Sequence, residues 1–216
     1  MNEGLWIAAK APRPGFVKTR LARSIGDERA TELYAAFLQD LAARFQNGQP
    51  IGWYVTPDDA WPELERVLGD RDGSLVLPQG EGDWGDRQRR LFAGARERGE
   101  LSTVLIASDS PQLEVELVAE AFRALDNHDI VLGPVTDGGY YLIGMRGYHD
   151  VLDGVEMSRE TVLADIVARA GVLGCSVALL DQTFDVDEAA DLDLLRRATR
   201  SRPDLARTAA VLELVQ

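Results

Sequence analysis

The chain of 216 residues carries 36 acidic and 23 basic side chains, a formal net charge of -13 at pH 7, and 45% of its residues are hydrophobic. This length and apolar content are enough for a substantial core, and we expect one domain over residues 1–216. So acidic a chain is poorly matched to nucleic acid or an anionic membrane surface, and we expect neither as a partner.

Cysteine usage and hydropathy narrow the class of protein further. Cys175 is the single cysteine, which excludes an internal disulfide and a thiolate zinc site. It lies in an apolar run, VLGCSVALL, for which we predict a buried strand. No apolar stretch has the length of a membrane span, and residues 1–9 do not resemble a signal peptide, so we expect a cytoplasmic protein.

A basic, proline-containing loop near the N-terminus is the first predicted functional motif. It runs from Ala8 to Leu21 as AAKAPRPGFVKTRL, between an apolar strand at residues 5–9 and a periodic helix that starts near Asp27. Loops at the carboxyl ends of strands bind nucleotides in open α/β sheets. Its spacing matches neither a P-loop nor a dinucleotide fingerprint, and a basic surface turn is the alternative interpretation. Four cations within eleven residues predict binding of nucleotide phosphates: Lys10, Arg13, Lys18 and Arg20.

Periodicity and turn residues predict the next elements, and a second loop follows them. The elements are a helix over 27–45 ended by Asn47 and Gly48, a strand over 51–56, a helix over 61–68 and a strand over 74–77. The second loop, at the start of PQGEGDWGDRQRRLF, has three glycines just before a helix. Such backbone allows close approach of a ligand, and a flexible connection is the alternative.

The third predicted motif is SDSPQL, which directly follows an apolar strand over 102–107. Asp109 is thereby placed at the carboxyl end of a buried strand, where ligands bind in α/β sheets. A hard carboxylate there suits Mg²⁺ or Mn²⁺, so we predict Asp109 as a metal ligand. The alternative is a helix N-cap for the segment that starts near Pro111.

The remaining predicted elements carry two further turns. In order, they are a helix ending at Leu125, a strand over 129–133, an Asp-Gly-Gly turn into a strand over 140–145, a helix capped by Ser158, a strand over 176–180 and a structural C-terminal helix. The strand over 140–145 is predicted as either the second arm of a hairpin or a crossing strand. An ordinary Asp-Gly turn without a functional role is the alternative interpretation of the turn before it.

An acidic segment, FDVDEAADL, follows the last predicted strand. Asp185 and Asp187 face the same way if the segment is extended, and either could reach a metal held by Asp109. An acidic helix start is the alternative. His128 and His149 have no partner at triad or metal-ligand spacing, and we assign neither a catalytic role.

Five ordered motifs together resemble one family along nearly the whole chain: AKAPRPGFVKTRL, QGEGDWGDR, SDSP, GPVTDGGYYLIG and FDVDEAADL. They resemble the glycosyltransferase-like proteins associated with radical-SAM and selenium domains, within the nucleotide-diphospho-sugar transferase superfamily. The first motif is also similar to 2-phospho-lactate guanylyltransferase, and the last to molybdenum-cofactor cytidylyltransferases. Ser110 departs from the pattern, because relatives commonly have cysteine there.

The resemblance implies a GT-A type fold, an α/β/α sandwich with a mostly parallel sheet, and it implies a site. Lys18, Arg20 and Asp109 would be catalytic, and Mg²⁺ or Mn²⁺ would be bound by Asp109 with Asp187 or Asp185. The acceptor side would be Asp137, Gly138, Gly139 and Tyr140. The nucleotide-binding residues would be Ala9, Lys10, Pro12, Gly15, Lys18, Arg20, Gln79, Gly82, Asp83 and Gly85.

Three functions are compatible with these residues. The first is nucleotidyl transfer from a nucleoside triphosphate to a small phosphorylated or hydroxyl acceptor, favoured by the charge of the basic loop. The second is glycosyl transfer from a nucleotide sugar, in which Asp137 could act as base. The third is a nucleotide-binding module without catalysis, which the predicted carboxylates argue against.

Overall fold

The computed structural model describes residues 2–45, 51–69, 74–157 and 159–215. The predicted helix end at Asn47 and Gly48 and the predicted cap Ser158 lie outside these residues. Within the described ranges, no helix has both the length and the apolar character that crossing a membrane requires.

The described residues form seven β-strands and eight α-helices. The strands are β1 (Glu3–Lys10), β2 (Gly52–Thr56), β3 (Leu75–Pro78), β4 (Ser102–Ala107), β5 (Ile130–Pro134), β6 (Tyr140–Arg146) and β7 (Val177–Leu179). The helices are α1 (Thr19–Ile25), α2 (Asp27–Phe45), α3 (Trp61–Leu68), α4 (Trp84–Ala93), α5 (Val115–Leu125), α6 (Val162–Val172), α7 (Leu192–Ser201) and α8 (Ala206–Leu212). Short 3-10 helices over Ala189–Asp191 and Pro203–Leu205 precede α7 and α8.

The strands form a sheet in the order β3-β2-β1-β4-β6-β5-β7. β2 and β3 pair in parallel, as do β5 and β7, whereas β6 runs antiparallel to both β4 and β5. β5 and β6 therefore form the hairpin that was one of two predicted arrangements. The predicted α/β class, a mostly parallel sheet flanked by helices, is confirmed.

The chain divides into two compact units, and the expected single domain stays a prediction. The first unit comprises Met1–Ile7, Gln79–Ala107 and Glu114–Phe184, and in it α5 packs on β4, β5 and β6. The second unit comprises Ala8–Pro78, Ser108–Leu113 and Asp185–Gln216, and in it α2 packs against α1, α3 and α8. The apolar stripe predicted for α2 is buried along its whole length, from Ala30 to Phe45.

Two local predictions were wrong. The basic loop ends at Lys18 rather than Leu21, because Thr19 begins α1 and the Ala22 N–H bonds back to the Lys18 carbonyl at 2.8 Å. Cys175 is only half-buried and precedes β7. Its N–H bonds to the Ala170 carbonyl at 2.9 Å, so it belongs to the turn that ends α6.

Candidate functional site

The course of the basic loop is fixed by hydrogen bonds within the second unit. The Ala11 N–H donates to the Thr56 carbonyl at 2.8 Å, and the Phe16 N–H donates to the Arg13 carbonyl at 3.0 Å. The Arg13 guanidinium binds the Glu63 carboxylate through Nε at 3.0 and 2.9 Å. This arginine therefore holds the loop to α3, whereas Lys18 and Arg20 bind carboxylates of other segments.

Lys18 is the non-glycine residue with positive φ among those the structure describes, at φ 49° and ψ 41°. Its side chain is only 3% exposed, and its ammonium lies 2.5 Å from Asp109 Oδ1 and 3.2 Å from Asp187 Oδ1. The same ammonium lies 5.9 Å from the centre of the Phe37 ring. A left-handed lysine costs free energy, and such strain persists where surrounding contacts enforce it, most often at functional sites.

The charges of Lys18 and Asp109 stabilise each other. Burial by itself lowers the pKa of Lys18, but Asp109 and Asp187 more than offset it and the pKa is raised. Burial by itself raises the pKa of Asp109, but Lys18 more than offsets it and the pKa is lowered. Both groups are therefore charged at neutral pH, and the half-exposed Asp109 presents an ionised carboxylate to solvent.

Arg20, in the first turn of α1, binds Asp187 and lies 3.7 Å from Glu188. Backbone contacts set Asp187 in place: its N–H donates to Asp191 Oδ2 at 2.9 Å, and the Val186 N–H donates to the Asp109 carbonyl at 3.0 Å. The second contact ties the acidic segment to the SDSP segment. Asp109 and Asp187 consequently face one cationic cluster although they are far apart in sequence.

Tyr34 of α2 connects the end of β1 to the SDSP segment, a role that was not predicted from the sequence. Its hydroxyl lies 2.9 Å from Ser108 Oγ and accepts the Lys10 N–H at 2.9 Å. Burial raises the pKa of Tyr34, so the hydroxyl stays protonated. The sequence feature that could have indicated this role is the position of Tyr34 in the apolar stripe of α2, because a buried tyrosine hydroxyl needs a polar partner.

The Lys18 ammonium contacts two of the predicted metal ligands, Asp109 and Asp187. Across the described ranges, no group of three or more His, Cys, Asp or Glu side chains is arranged to hold a metal ion. Asp185 lies two residues before Asp187 and is half-buried, but it does not complete such a group with Asp109. Asp109 is also not the cap of α5, since that helix begins at Val115.

The glycine-rich loop belongs to the first unit and is fixed by side chains of α4. Asp83 caps this helix by accepting the Asp86 N–H at 2.9 Å. Arg87 Nε donates to the Gly82 carbonyl at 3.0 Å, and Arg90 binds the Gln79 carbonyl. The helix begins at Trp84, so Gly85 lies in its first turn. These contacts give the loop a defined shape, and ligand binding by its residues stays a prediction.

The Asp137–Tyr140 segment forms the hairpin turn in the same unit. Asp137 Oδ1 accepts the Gly139 N–H at 2.9 Å. Gly138 has φ +90°, and a Cβ there would lie 1.9 Å from the Glu160 carbonyl oxygen, so only glycine fits. The Tyr140 hydroxyl bonds to the buried Gln88 amide at 2.9 Å and so anchors α4. The Asp137 side chain is exposed, and its acceptor-side role stays a prediction.

Solved structures share this fold. One is a "putative nucleotide-diphospho-sugar transferase" from Desulfovibrio desulfuricans G20, with 29% sequence identity, 96% of this chain and 98% of that chain covered, and a TM-score of 0.84. CMP:2-keto-3-deoxy-manno-octonic acid synthetase in complex with CTP has 12% identity, 94% and 100% coverage and a TM-score of 0.55. A 4-diphosphocytidyl-2C-methyl-D-erythritol synthase has 14% identity, 92% and 98% coverage and a TM-score of 0.57. The predicted nucleotide-diphospho-sugar transferase fold is confirmed.

A comparison of the sequence with proteins of curated function finds no match. A family assignment comes instead from residues 37–159, more than half of the chain, which match the family described as "Uncharacterized protein conserved in bacteria (DUF2064)". The matched range includes Asp109 and the hairpin turn. The chain belongs to this family.

Proposed function

We propose that this protein is a metal-dependent transferase that moves a nucleotidyl group from a nucleoside triphosphate to a small phosphorylated or hydroxyl acceptor. One observation carries the proposal: the buried Lys18 ammonium binds two carboxylates, Asp109 and Asp187, beside the half-exposed Arg20 guanidinium. Cations and carboxylates in one cluster are what a metal-bound triphosphate requires, because its transition state needs charge neutralisation and positioning.

The donor set of this cluster fits Mg²⁺ or Mn²⁺. Both ions take carboxylate oxygens, and Mg²⁺ usually takes one or two protein carboxylates and completes its shell with phosphate oxygens and water. Asp109 and Asp187 would hold the ion, with Asp185 as the alternative second carboxylate. A bound ion would neutralise charge on the phosphates and the leaving group.

The chain's own cations have separate roles in the proposed reaction. Arg20 has half of its side chain in solvent and would bind the outer phosphates, whereas buried Lys18 would bind nearer the reacting phosphorus. An acceptor oxygen would attack the α-phosphorus in line, the bond to the bridging oxygen would break, and pyrophosphate would leave. Lys18 and Arg20 would neutralise the charge that develops on the departing group.

The similar structures support this class of reaction. The synthetase that shares the fold was solved with CTP, and two of the three structures described above have a cytidine-based group in their names. A nucleotide and a small-molecule acceptor are therefore the proposed ligands. The finer resemblance, to the glycosyltransferase-like proteins associated with radical-SAM domains, stays a prediction.

Glycosyl transfer from a nucleotide sugar is the second candidate. The name of the Desulfovibrio protein, the most similar of the three described above, favours it. The same metal would then stabilise a departing nucleoside diphosphate, and the exposed Asp137 carboxylate would be the candidate base. Nucleotidyl transfer requires a nucleoside triphosphate as the donor, whereas glycosyl transfer requires a nucleotide sugar.

A thermal-shift screen separates the two candidates. The purified protein is heated with each nucleoside triphosphate and with nucleotide sugars, with and without Mg²⁺ or Mn²⁺. A ligand present at a hundredfold excess over its dissociation constant adds about 2.7 kcal/mol to the free energy of unfolding. Metal-dependent stabilisation by one triphosphate supports nucleotidyl transfer, and stabilisation by a nucleotide sugar alone supports glycosyl transfer. A protein that responds to no nucleotide would contradict both.

A further inference from the structure

The segment that carries Asp109 has no regular secondary structure, yet it is buried. Ser108–Leu113 connects the end of β4 to the residues before α5, and Ser110 is fully buried, as is Leu113. Buried backbone carbonyls without a strand or helix partner need other donors.

Two arginines donate to three successive carbonyls of this segment. Arg44 Nη1 donates to the Pro111 carbonyl at 2.6 Å and to the Leu113 carbonyl at 2.9 Å. Arg202 Nη1 donates to the Gln112 carbonyl between them at 3.0 Å. Arg44 is at the C-terminal end of α2 and its side chain is only 4% exposed. The burial of the Arg44 side chain and the N–H donors of its guanidinium are typical of a structural anchor and not of a surface charge.

One carboxylate holds both guanidinium groups in this orientation. Arg44 Nε lies 2.6 Å from Asp204 Oδ2, and Arg202 binds the same carboxylate at 2.9 Å through Nε and 2.8 Å through Nη2. The guanidinium of Arg202 holds the pKa of Asp204 well below its usual range, with help from Arg44. Asp204 is therefore ionised at neutral pH. Its charge-assisted hydrogen bonds hold both guanidinium groups in the orientation in which they donate to the backbone carbonyls.

The other end of the segment is fixed separately. The Asp109 carbonyl accepts the Val186 N–H at 3.0 Å, and Ser108 Oγ lies 2.9 Å from the Tyr34 hydroxyl. Asp109 thus sits between two anchored stretches of backbone. Its side chain is the part of the segment that remains 40% exposed and meets Lys18.

We propose that Arg44 and Arg202, held by Asp204, are positioning residues that fix the Ser108–Leu113 backbone so that the Asp109 carboxylate is preset for a metal-bound nucleotide. The inference rests on the proposed function for what Asp109 binds, and on the hydrogen bonds alone for what holds the segment. Residues that orient metal ligands typically change metal affinity or activity by about 10- to 100-fold when they are replaced.

The experiment compares Arg44→Met with Arg29→Met. Arg29 lies on the same helix but pairs at the surface with Glu32, so its replacement controls for loss of an arginine from α2. Amide hydrogen exchange of a peptide covering residues 108–113 is measured in both variants and in the wild type. We expect faster exchange in Arg44→Met only. Equal exchange in the three proteins would overturn the inference.

A second measurement asks whether the effect reaches Asp109. The affinity for the triphosphate found in the screen is measured with and without Mg²⁺ in each protein. We expect Arg44→Met to lose about tenfold or more in the Mg²⁺-dependent affinity while the metal-free affinity is retained. Equal loss with and without the metal, or no loss, would contradict a role through Asp109.

The design separates failure of the inference from failure of the proposed function. If the wild type binds no nucleotide, the proposed function fails, and the exchange measurement still decides whether Arg44 holds the segment. If Arg44→Met does not fold, Asp204→Asn replaces it, because this side chain is partly exposed and its replacement keeps both arginines in the chain while removing the charge that orients them. Asp204→Asn should show the same faster exchange, and unchanged exchange would overturn the inference.

Discussion

The ammonium of Lys18 lies 2.5 Å from the carboxylate of Asp109, although the lysine side chain is buried and its backbone is left-handed. A buried cation needs a partner, and this one has two because Asp187 lies 3.2 Å away. The arrangement keeps the cluster close to neutral in the absence of ligand. Under the proposed function, these charged groups of both signs would meet a metal-bound phosphate.

Replacing Lys18 should weaken binding of a triphosphate more than binding of the corresponding nucleoside. Lys18→Met removes a cation proposed to touch phosphate, and we expect about a tenfold loss for the triphosphate, which corresponds to 1.4 kcal/mol. Calorimetric titration of both ligands measures the difference. Arg13→Gln is the matched control in the same loop, because Arg13 is bound to Glu63. Equal losses for triphosphate and nucleoside in Lys18→Met would mean that Lys18 does not contact phosphate.

Stability at low pH should depend on Asp129, which lies just before β5. Its carboxylate accepts hydrogen bonds from the Ser176 N–H at 2.9 Å, the Ser176 hydroxyl at 2.7 Å and Arg146 at 3.1 Å. These contacts, the Ser176 N–H first, hold the pKa of Asp129 well below its usual range. The folded state therefore binds the proton more weakly than the unfolded chain, whose aspartates titrate near 3.9.

The sign of the pH dependence follows from that lowered pKa. The stabilising contribution is fully present above about pH 4 and is lost as the pH falls through the lower pKa of the folded state. Asp129→Asn should reduce the free energy of unfolding at pH 7 by about 1–3 kcal/mol. Urea unfolding from pH 7 to pH 2 should show the two proteins converging on the acid side. A difference that stays constant with pH would contradict this assignment.

Ser110 should tolerate loss of its hydroxyl. It is fully buried, and its Oγ has no hydrogen-bond partner among the described residues. We expect Ser110→Ala to change the free energy of unfolding by less than about 0.5 kcal/mol or to raise it. Ser108→Ala is the matched comparison and should cost about 1 kcal/mol, because Ser108 Oγ bonds to Tyr34. If urea unfolding shows a larger decrease in the free energy of unfolding for Ser110→Ala than for Ser108→Ala, this prediction is contradicted.

Elements with strong local signals were predicted well from the sequence. α3 and β4 have the predicted bounds, Trp61–Leu68 and Ser102–Ala107. α2 begins at the predicted Asp27. A continuous apolar run and a regular three-to-four spacing are local properties, and tertiary contacts here agree with them.

The features that were not predicted from the sequence depend on contacts between residues that are distant along the chain. The start of α1 follows from the left-handed backbone of Lys18, whose side chain binds Asp109 and Asp187. His149 appeared isolated in the sequence, yet its Nδ1 lies 3.3 Å from the sulfur of Cys175. The roles of Tyr34 and Arg44 also depend on partners far along the chain. Local periodicity carries no information about such partners.

The most direct test of the proposed site is the Mg²⁺ dependence of triphosphate affinity in the wild type and in Asp109→Asn. The substitution keeps the size of the side chain and removes the charge that would hold the ion. Calorimetric titration should show affinity that rises with Mg²⁺ in the wild type and is independent of Mg²⁺ in Asp109→Asn, with both proteins folded by circular dichroism. The same Mg²⁺-dependent affinity in both proteins would contradict a metal site at Asp109.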